Sequence, residues 1–232
     1  MAYDIEEQEQ LDQLKAFWAK WGNAITWGAT AVALAFAAYY GYKYYQRSQA
    51  LEAAPLFEQL EKAASAAAPA AGAPDAKSVQ LVGDLAATLT SKYSGTAYAQ
   101  MAAISAAKVQ FEAGKVEPAQ TLLQWTIDHA KDAEYQHIAR TRLAALLLDA
   151  KKPEQALALL PESAPKGFET LFADRRGDAL AALGKKAEAI EQYQKAWAAA
   201  IEGASIREVI EQKLNGLGAE TPAAKLAVKT NT

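Results

Sequence analysis

The sequence contains no cysteine, only two histidines and two methionines, and no excess of basic residues. Without cysteine there is no disulfide framework, no thiol nucleophile, no iron–sulfur ligation and no lipoprotein-type anchor. His129 and His137 stand eight residues apart across a predicted turn. That spacing does not present two imidazoles to one metal, as i, i+4 placement on a helix does, and both are read as solvated surface. The net charge of −3 is accounted for by residues 1–20, where Asp4, Glu6, Glu7, Glu9 and Asp12 outweigh Lys15 and Lys20. The rest of the chain is neutral, so nothing attracts it to a phosphate backbone, and no nucleic-acid partner is expected. No P-loop, G-x-S-x-G, C-x-x-C or H-E-x-x-H pattern occurs, and the 27 carboxylates are scattered without an identifiable acid–base dyad. Asp174, Arg175, Arg176 and Asp178 read as local charge pairs worth a few tenths of a kcal/mol. No enzyme activity, cofactor or metal is expected.

Glycine and proline are also few, 13 and 8 in 232 residues, and they fall mostly between apolar-periodic stretches, where helix ends belong. Alanine, leucine, glutamine, glutamate and lysine dominate, a composition for helix nearly throughout. The fold class expected is all-α: one N-terminal transmembrane helix followed by a tetratricopeptide-like helical-repeat domain.

The 22 residues between Lys20 and Lys43 carry no formal charge. As a helix rising about 1.5 Å per residue they match a hydrocarbon layer of roughly 30 Å. Trp18, Trp21 and Trp27 mark one end and Tyr39, Tyr40, Tyr42, Tyr44 and Tyr45 the other, as rings that settle at the two headgroup layers should. The rival readings are a cleaved signal peptide, with an A-x-A pattern at Ala35-Phe36-Ala37, and a buried core helix. An acidic leader of about twenty residues and a tyrosine cluster after the cleavage pattern favour the retained anchor. Lys15 and Lys20 balance Lys43 and Arg47, so the charge rule leaves the orientation undecided. Ala24 and Gly28, and the series Ala29, Ala33 and Ala37, set small residues four apart. This spacing suits close packing of a second membrane helix, and an alanine-rich span also produces it by chance. Residues 1–20 form an amphipathic N-terminal segment, in which Ile5, Leu11, Leu14, Phe17 and Trp18, continued by Trp21 at the start of the span, lie on the apolar side.

Residues 44–64 continue as a helical extension, 65–78 form an Ala/Pro-rich linker, 79–217 form the repeat domain, and 218–232 form a disordered tail. Helices are predicted near 79–92, 96–113, 116–130, 134–150, 153–160, 167–183, 186–200 and 204–215. The clearest repeat is Gly177, Leu180, Gly184, Ala189, Tyr193 and Ala196, in the tetratricopeptide order of small, large, turn glycine, small, aromatic, small. Small residues at Gly177, Ala189 and Ala196 let two antiparallel helices approach, Leu180 and Tyr193 fill the space between pairs, and Gly184 permits the turn. The post-turn alanines Ala119, Ala156 and Ala189 are separated by 37 and 33 residues, around the expected period of 34. Projecting the repeat phase places Met101, Ile104, Phe111, Ile138, Leu148 and Leu171 on or near the inner face of the solenoid. Two readings are open there: a groove for apolar peptide segments, or core residues of a short solenoid closed on itself.

Three segments in order, EQEQLDQLKAFWAKWGNAI running into the span, FADRRGDALAALGKKAEAI at 172–190 and IREVIEQKLNGL at 206–217, resemble the YfgM-like ancillary subunits of the bacterial Sec translocon. The likeness covers nearly the whole chain, and the Ala/Pro linker and the tail are its departures. The resemblance implies a single-pass inner-membrane protein with its N-terminus in the cytoplasm and its repeat domain in the periplasm. The partners implied are the SecYEG translocon, the membrane-anchored chaperone PpiD and unfolded translocated clients, alongside the lipid bilayer. The function implied is non-enzymatic: helping pass newly translocated proteins to periplasmic chaperones. The alternative is a membrane-anchored scaffold that assembles an envelope complex without binding clients. Residues contacting SecYEG or PpiD are not identifiable from the sequence.

Overall fold

The computed structural model describes residues 2–67 and 74–221, with side chains from Glu7 onward. All regular structure among them is helical: α1 (Ala2–Ala67), α2 (Ala76–Lys92), α3 (Ala97–Glu112), α4 (Val116–His129), α5 (Ala133–Asp149), α6 (Pro153–Ala158), α7 (Glu169–Ala182), α8 (Lys186–Ala199) and α9 (Ser205–Gly216). The centre of the expected linker, 68–73, and the expected tail from 222 onward lie outside the described residues. The chain divides into two compact units, Met1–Leu51 and Glu52–Thr232.

In the first unit, α1 carries an 18-residue window of mean hydropathy 1.2, none of it buried. An apolar helix without protein around it has the length and composition of a membrane span, and the absence of burial removes the core-helix reading. The two threonine hydroxyls of the span are satisfied within the helix. Thr26 Oγ1 donates to the Gly22 carbonyl and Thr30 Oγ1 to that of Thr26, both at 2.8 Å, as a hydrocarbon environment requires. The flanking cations lie over belt rings, Lys20 Nζ 5.8 Å from the Trp21 ring and Lys43 Nζ 5.9 Å from that of Tyr39. Ala24, Gly28, Ala29, Ala33 and Ala37 are all exposed. They do not share one face, because successive residues turn by about 100° and Gly28 and Ala29 therefore open onto different sides of α1.

The second unit opens at Glu52, inside the segment expected as a plain helical extension and well before residue 79. Ala53 and Leu60 are fully buried and, with Ala63 and Ala67, join a core containing Val82, Ala86 and Leu89 of α2 and Ala102 and Ala106 of α3. Phe57 meets Tyr98 with ring centroids 5.6 Å apart, and the Tyr93 hydroxyl donates to Glu52 at 3.3 Å. The end of α1 thus shares one core with α2 and α3. The linker is correspondingly shorter than 65–78. Helix α1 persists to Ala67, and α2 starts at Ala76 behind Asp75, whose carboxylate accepts from the Ser78 amide at 2.8 Å.

The hairpins α3/α4, α5/α6 and α7/α8 follow, and their turns share one geometry. Gly114, Lys151 and Gly184 are left-handed, with φ of 77°, 60° and 75°. The amide after each reaches back five residues: Lys115 to Gln110, Lys152 to Leu147 and Lys185 to Leu180, at 2.8, 2.8 and 2.9 Å. This is the Schellman closure of a helix C-terminus. Five residues after each left-handed residue come Ala119, Ala156 and Ala189, all fully buried. Helix α9 ends on the same device, with Gly218 at φ 68° and Ala219 N–H bonded to Leu214 O at 3.0 Å. The turns therefore recur at 37, 33 and 34 residues, and α9 stands in phase with the first helices of the repeats.

Within the third repeat, a Cβ added at Gly177 would lie 2.5 Å from Cε1 of Tyr193, so the absent side chain is what seats the ring. Leu180, Ala189, Tyr193 and Ala196 are buried around it together with Ile210 and Leu214 of α9. The charged cluster at 174–178 proves larger than a local pairing. Asp174 is buried, and its carboxylate accepts from Lys213 of α9 at 2.6 Å and lies 3.5 Å from Arg175. Lys213 also meets Asp178 at 2.7 Å, Arg175 meets Asp178 at 2.8 Å, and the Tyr193 hydroxyl donates to Asp178 at 2.8 Å. Burial pushes the Asp174 carboxyl up, the Asp178 charge adds to this, and Lys213 and Arg175 oppose it. This network fastens α7, α8 and α9 together.

Three expected outcomes follow for unfolding of the full chain in detergent, read by urea titration and circular dichroism. Gly177→Ala destabilises by about 1–2 kcal/mol, because overpacking against Tyr193 outweighs alanine's helix propensity. Lys151→Gly stabilises by about 0.5–1 kcal/mol, since the strain of a left-handed lysine exceeds glycine's entropic cost. Lys213→Met destabilises by about 3 kcal/mol by leaving the buried Asp174 carboxylate with only the longer contact to Arg175; a loss under 1 kcal/mol would show the network to be dispensable.

Candidate functional site

In the second unit the first helix of each hairpin packs on the next: α3 on α5 and α5 on α7. The second helices pack mainly on their own and adjacent first helices, and a cleft of about 600 Å³ separates α4 from α6. The first helices therefore line the inner side, where sequence phase places the six apolar residues.

Met101, Ile138 and Leu171 each precede the left-handed turn residue by 13 positions and form one stripe across α3, α5 and α7. Met101 and Ile138 are half-buried and Leu171 is 41% exposed. Phe111 and Leu148, three positions before their turns, form a second row; Phe111 is 37% exposed, and Leu148 is half-buried against the central core. Ile104 departs from the pair of rows. At 9% exposure it belongs to the interior, as do Thr141 and Asp174 at the equivalent position. The inner face is thus partly core and partly surface, with neither reading holding for all six residues.

Two further features of this face lie outside the residues that sequence phase singles out. Tyr98, Tyr135 and Phe168 occupy a common position 16 residues before the turns, all half-buried, and extend the apolar stripe with rings. Their signal was the repeat phase itself, which becomes exact only once Lys151 is recognised as a turn residue. The second feature is a pocket of about 280 Å³ between α3 and α5, with Phe111 in its wall and Lys108 and Arg142 beside it.

The histidines divide. His129 is exposed, stacked on Trp125 with centroids 5.0 Å apart. His137, expected at the solvated surface, is half-buried with its ring edge-on to Phe168 at 5.2 Å and Phe172 at 5.8 Å. Its Nδ1 has no hydrogen-bond partner, and burial, helped by the Arg140 charge, lowers its pKa below the usual histidine range. Among the described residues no group of three or more His, Cys, Asp or Glu is placed to hold a metal ion. What the site offers chemically is an apolar, aromatic-edged surface with a few cations, suited to binding polypeptide.

Comparison with known proteins agrees with this architecture. The model of a family described as "Tetratricopeptide repeat-like domain" matches residues 15–219, including both the apolar helix and the repeats. A Neisseria gonorrhoeae protein named "Ancillary SecYEG translocon subunit" is 31% identical over 94% of this chain and 100% of its own length. Proteins of the same name from Haemophilus influenzae and Escherichia coli are 27% and 26% identical, over 94% and 91% of this chain and 100% and 96% of their own lengths. No solved structure matches the chain. The end-to-end similarity, carried by one apolar N-terminal helix and a stack of repeat hairpins, makes the chain a member of the YfgM-like family of tetratricopeptide repeat-like proteins.

Proposed function

We propose that the chain is a non-enzymatic ancillary subunit of the Sec translocon, held in the inner membrane by α1 with its N-terminus cytoplasmic and its repeat domain periplasmic. The observation that carries this reading is the similarity to proteins bearing that name over 94% of the chain, span and repeats together. Its partners are SecYEG and the chaperone PpiD, and its role is to help pass newly translocated polypeptides to periplasmic chaperones. The geometry supports such a role in two ways. An exposed apolar helix provides an attachment that keeps the repeats near the channel, raising their local concentration there as tethering does. The inner-face stripe offers partly exposed Leu171 and Phe111 beside half-buried Met101 and Ile138, a surface on which an emerging apolar segment or a segment of PpiD can dock.

Site-specific photocrosslinking in native membranes tests this, with a probe at Ala33 in the span and separately at Leu171 or Phe111 on the inner face. The expected adducts are translocon subunits from Ala33, and PpiD or nascent exported chains from the inner face. Lipid alone from the span, with an unrelated envelope protein from the inner face, would replace this reading with that of an assembly scaffold.

A further inference from the structure

We propose that the pocket between α3 and α5 binds a peptide carboxylate adjoining an apolar side chain, with Arg142 as its principal anchor; this rests on the proposed peptide-binding role of the inner face. Leu123 and Leu146, 2% and 7% exposed, line the pocket together with Ala145, while Phe111 at 37% forms an accessible part of its wall. Its volume of about 280 Å³ lies just under the roughly 300–1,000 Å³ of small-molecule sites, which leaves room for one or two side chains.

The charge beside it identifies the rest of the ligand. Arg142 precedes the left-handed residue of its repeat by nine positions, as Arg175 does in the next repeat. Three residues further on, Arg175 finds Asp178, and the two meet at 2.8 Å. At the equivalent position after Arg142 stands Ala145, which itself lines the pocket. Arg142 is exposed and makes no hydrogen bond or ion pair among the described residues. The second repeat therefore keeps the arginine of the third and replaces its carboxylate by a methyl group facing the cavity. A carboxylate supplied from outside occupies the place that Asp178 fills in the third repeat, where a guanidinium can engage it through two N–H groups. Lys108, on the facing helix, adds a second cation. It is shared with Glu112 at 3.8 Å, and the three groups leave the pocket margin one charge positive. A backbone C-terminus and a glutamate or aspartate side chain present the same chemistry.

The test is fluorescence anisotropy with the full chain in nanodiscs and three fluorescein-labelled Gly/Ser heptapeptides. The first ends in Leu-Phe with a free carboxylate, the second is its C-terminal amide, and the third is an amide ending in Glu-Phe. The free acid is expected to bind at least tenfold more tightly than its amide, and the Glu-Phe amide shows whether a side-chain carboxylate serves equally. Arg142→Gln should erase the acid-over-amide preference, Arg142→Lys should restore part of it, and Ala145→Asp should abolish it by supplying the internal partner. Circular dichroism of each variant confirms that the fold is kept. Equal binding of acid and amide by the unsubstituted protein, or an acid preference that survives both Arg142→Gln and Ala145→Asp, would overturn the carboxylate site while leaving an apolar inner-face groove intact. Failure of all three peptides to bind would overturn the site and the peptide-binding groove together.

Discussion

The repeat domain depends on how each first helix is terminated. A helix that ran past Gly114, Lys151 or Gly184 could not fold its successor back against itself. The left-handed residue reverses the chain while the amide behind it satisfies a carbonyl five residues earlier, so the turn exposes little unsatisfied backbone. Because this reversal is tight, the residue five positions on enters directly under the first helix, where only a small side chain fits, and Ala119, Ala156 and Ala189 are each fully buried there. Turn geometry and seam composition are consequently one constraint seen twice. The second repeat satisfies it with a strained lysine, which shows that hydrogen bonding and burial around the turn outweigh a local backbone cost of about 1–2 kcal/mol.

A solenoid built this way must be closed at its ends, since each hairpin buries its apolar side only against a neighbour. At one end the closing element is the last part of α1, whose Leu60 and Ala53 are fully buried with α2 and α3. At the other it is α9, held both by Ile210 and Leu214 in the apolar core and by Lys213 between Asp174 and Asp178. The guanidinium of Arg207 adds a stacked contact 3.8 Å from the Trp197 ring centroid. The contacts of α9 thus combine an apolar core with ion pairs, whereas the end of α1 is held chiefly by apolar packing.

Much of this was legible in the sequence for a physical reason: small residues at fixed intervals are costly to replace where helices touch, so Ala119, Ala156, Ala189 and Gly177 expose the period directly. The glycine signal was incomplete because one of the three turns uses Lys151. Residues 52–67 looked like a bare extension because alanine reads the same whether it faces solvent or a partner helix, and only the full burial of Ala53 and Leu60 shows which applies. The pairing of Asp174 with Lys213 spans 39 residues and has no periodicity to betray it. His137 was misplaced because the rings that surround it, Phe168 and Phe172, belong to the next hairpin.

The inner face shows why repeat phase locates a surface without settling its exposure. Residues at one phase share a direction, yet their burial is decided by what the following repeat brings. Ile104 and Asp174 are both buried at one phase, and the Asp174 carboxylate there meets Lys213 of α9. Leu171, one turn earlier on α7, remains 41% exposed. The same reasoning applies to charge. Arg175 and Arg142 occupy one phase, and whether each is neutralised depends on a single residue three positions on, an aspartate in one repeat and an alanine in the other. Repetition therefore supplies a regular frame, and the binding character of the frame resides in the positions where one repeat departs from its neighbours.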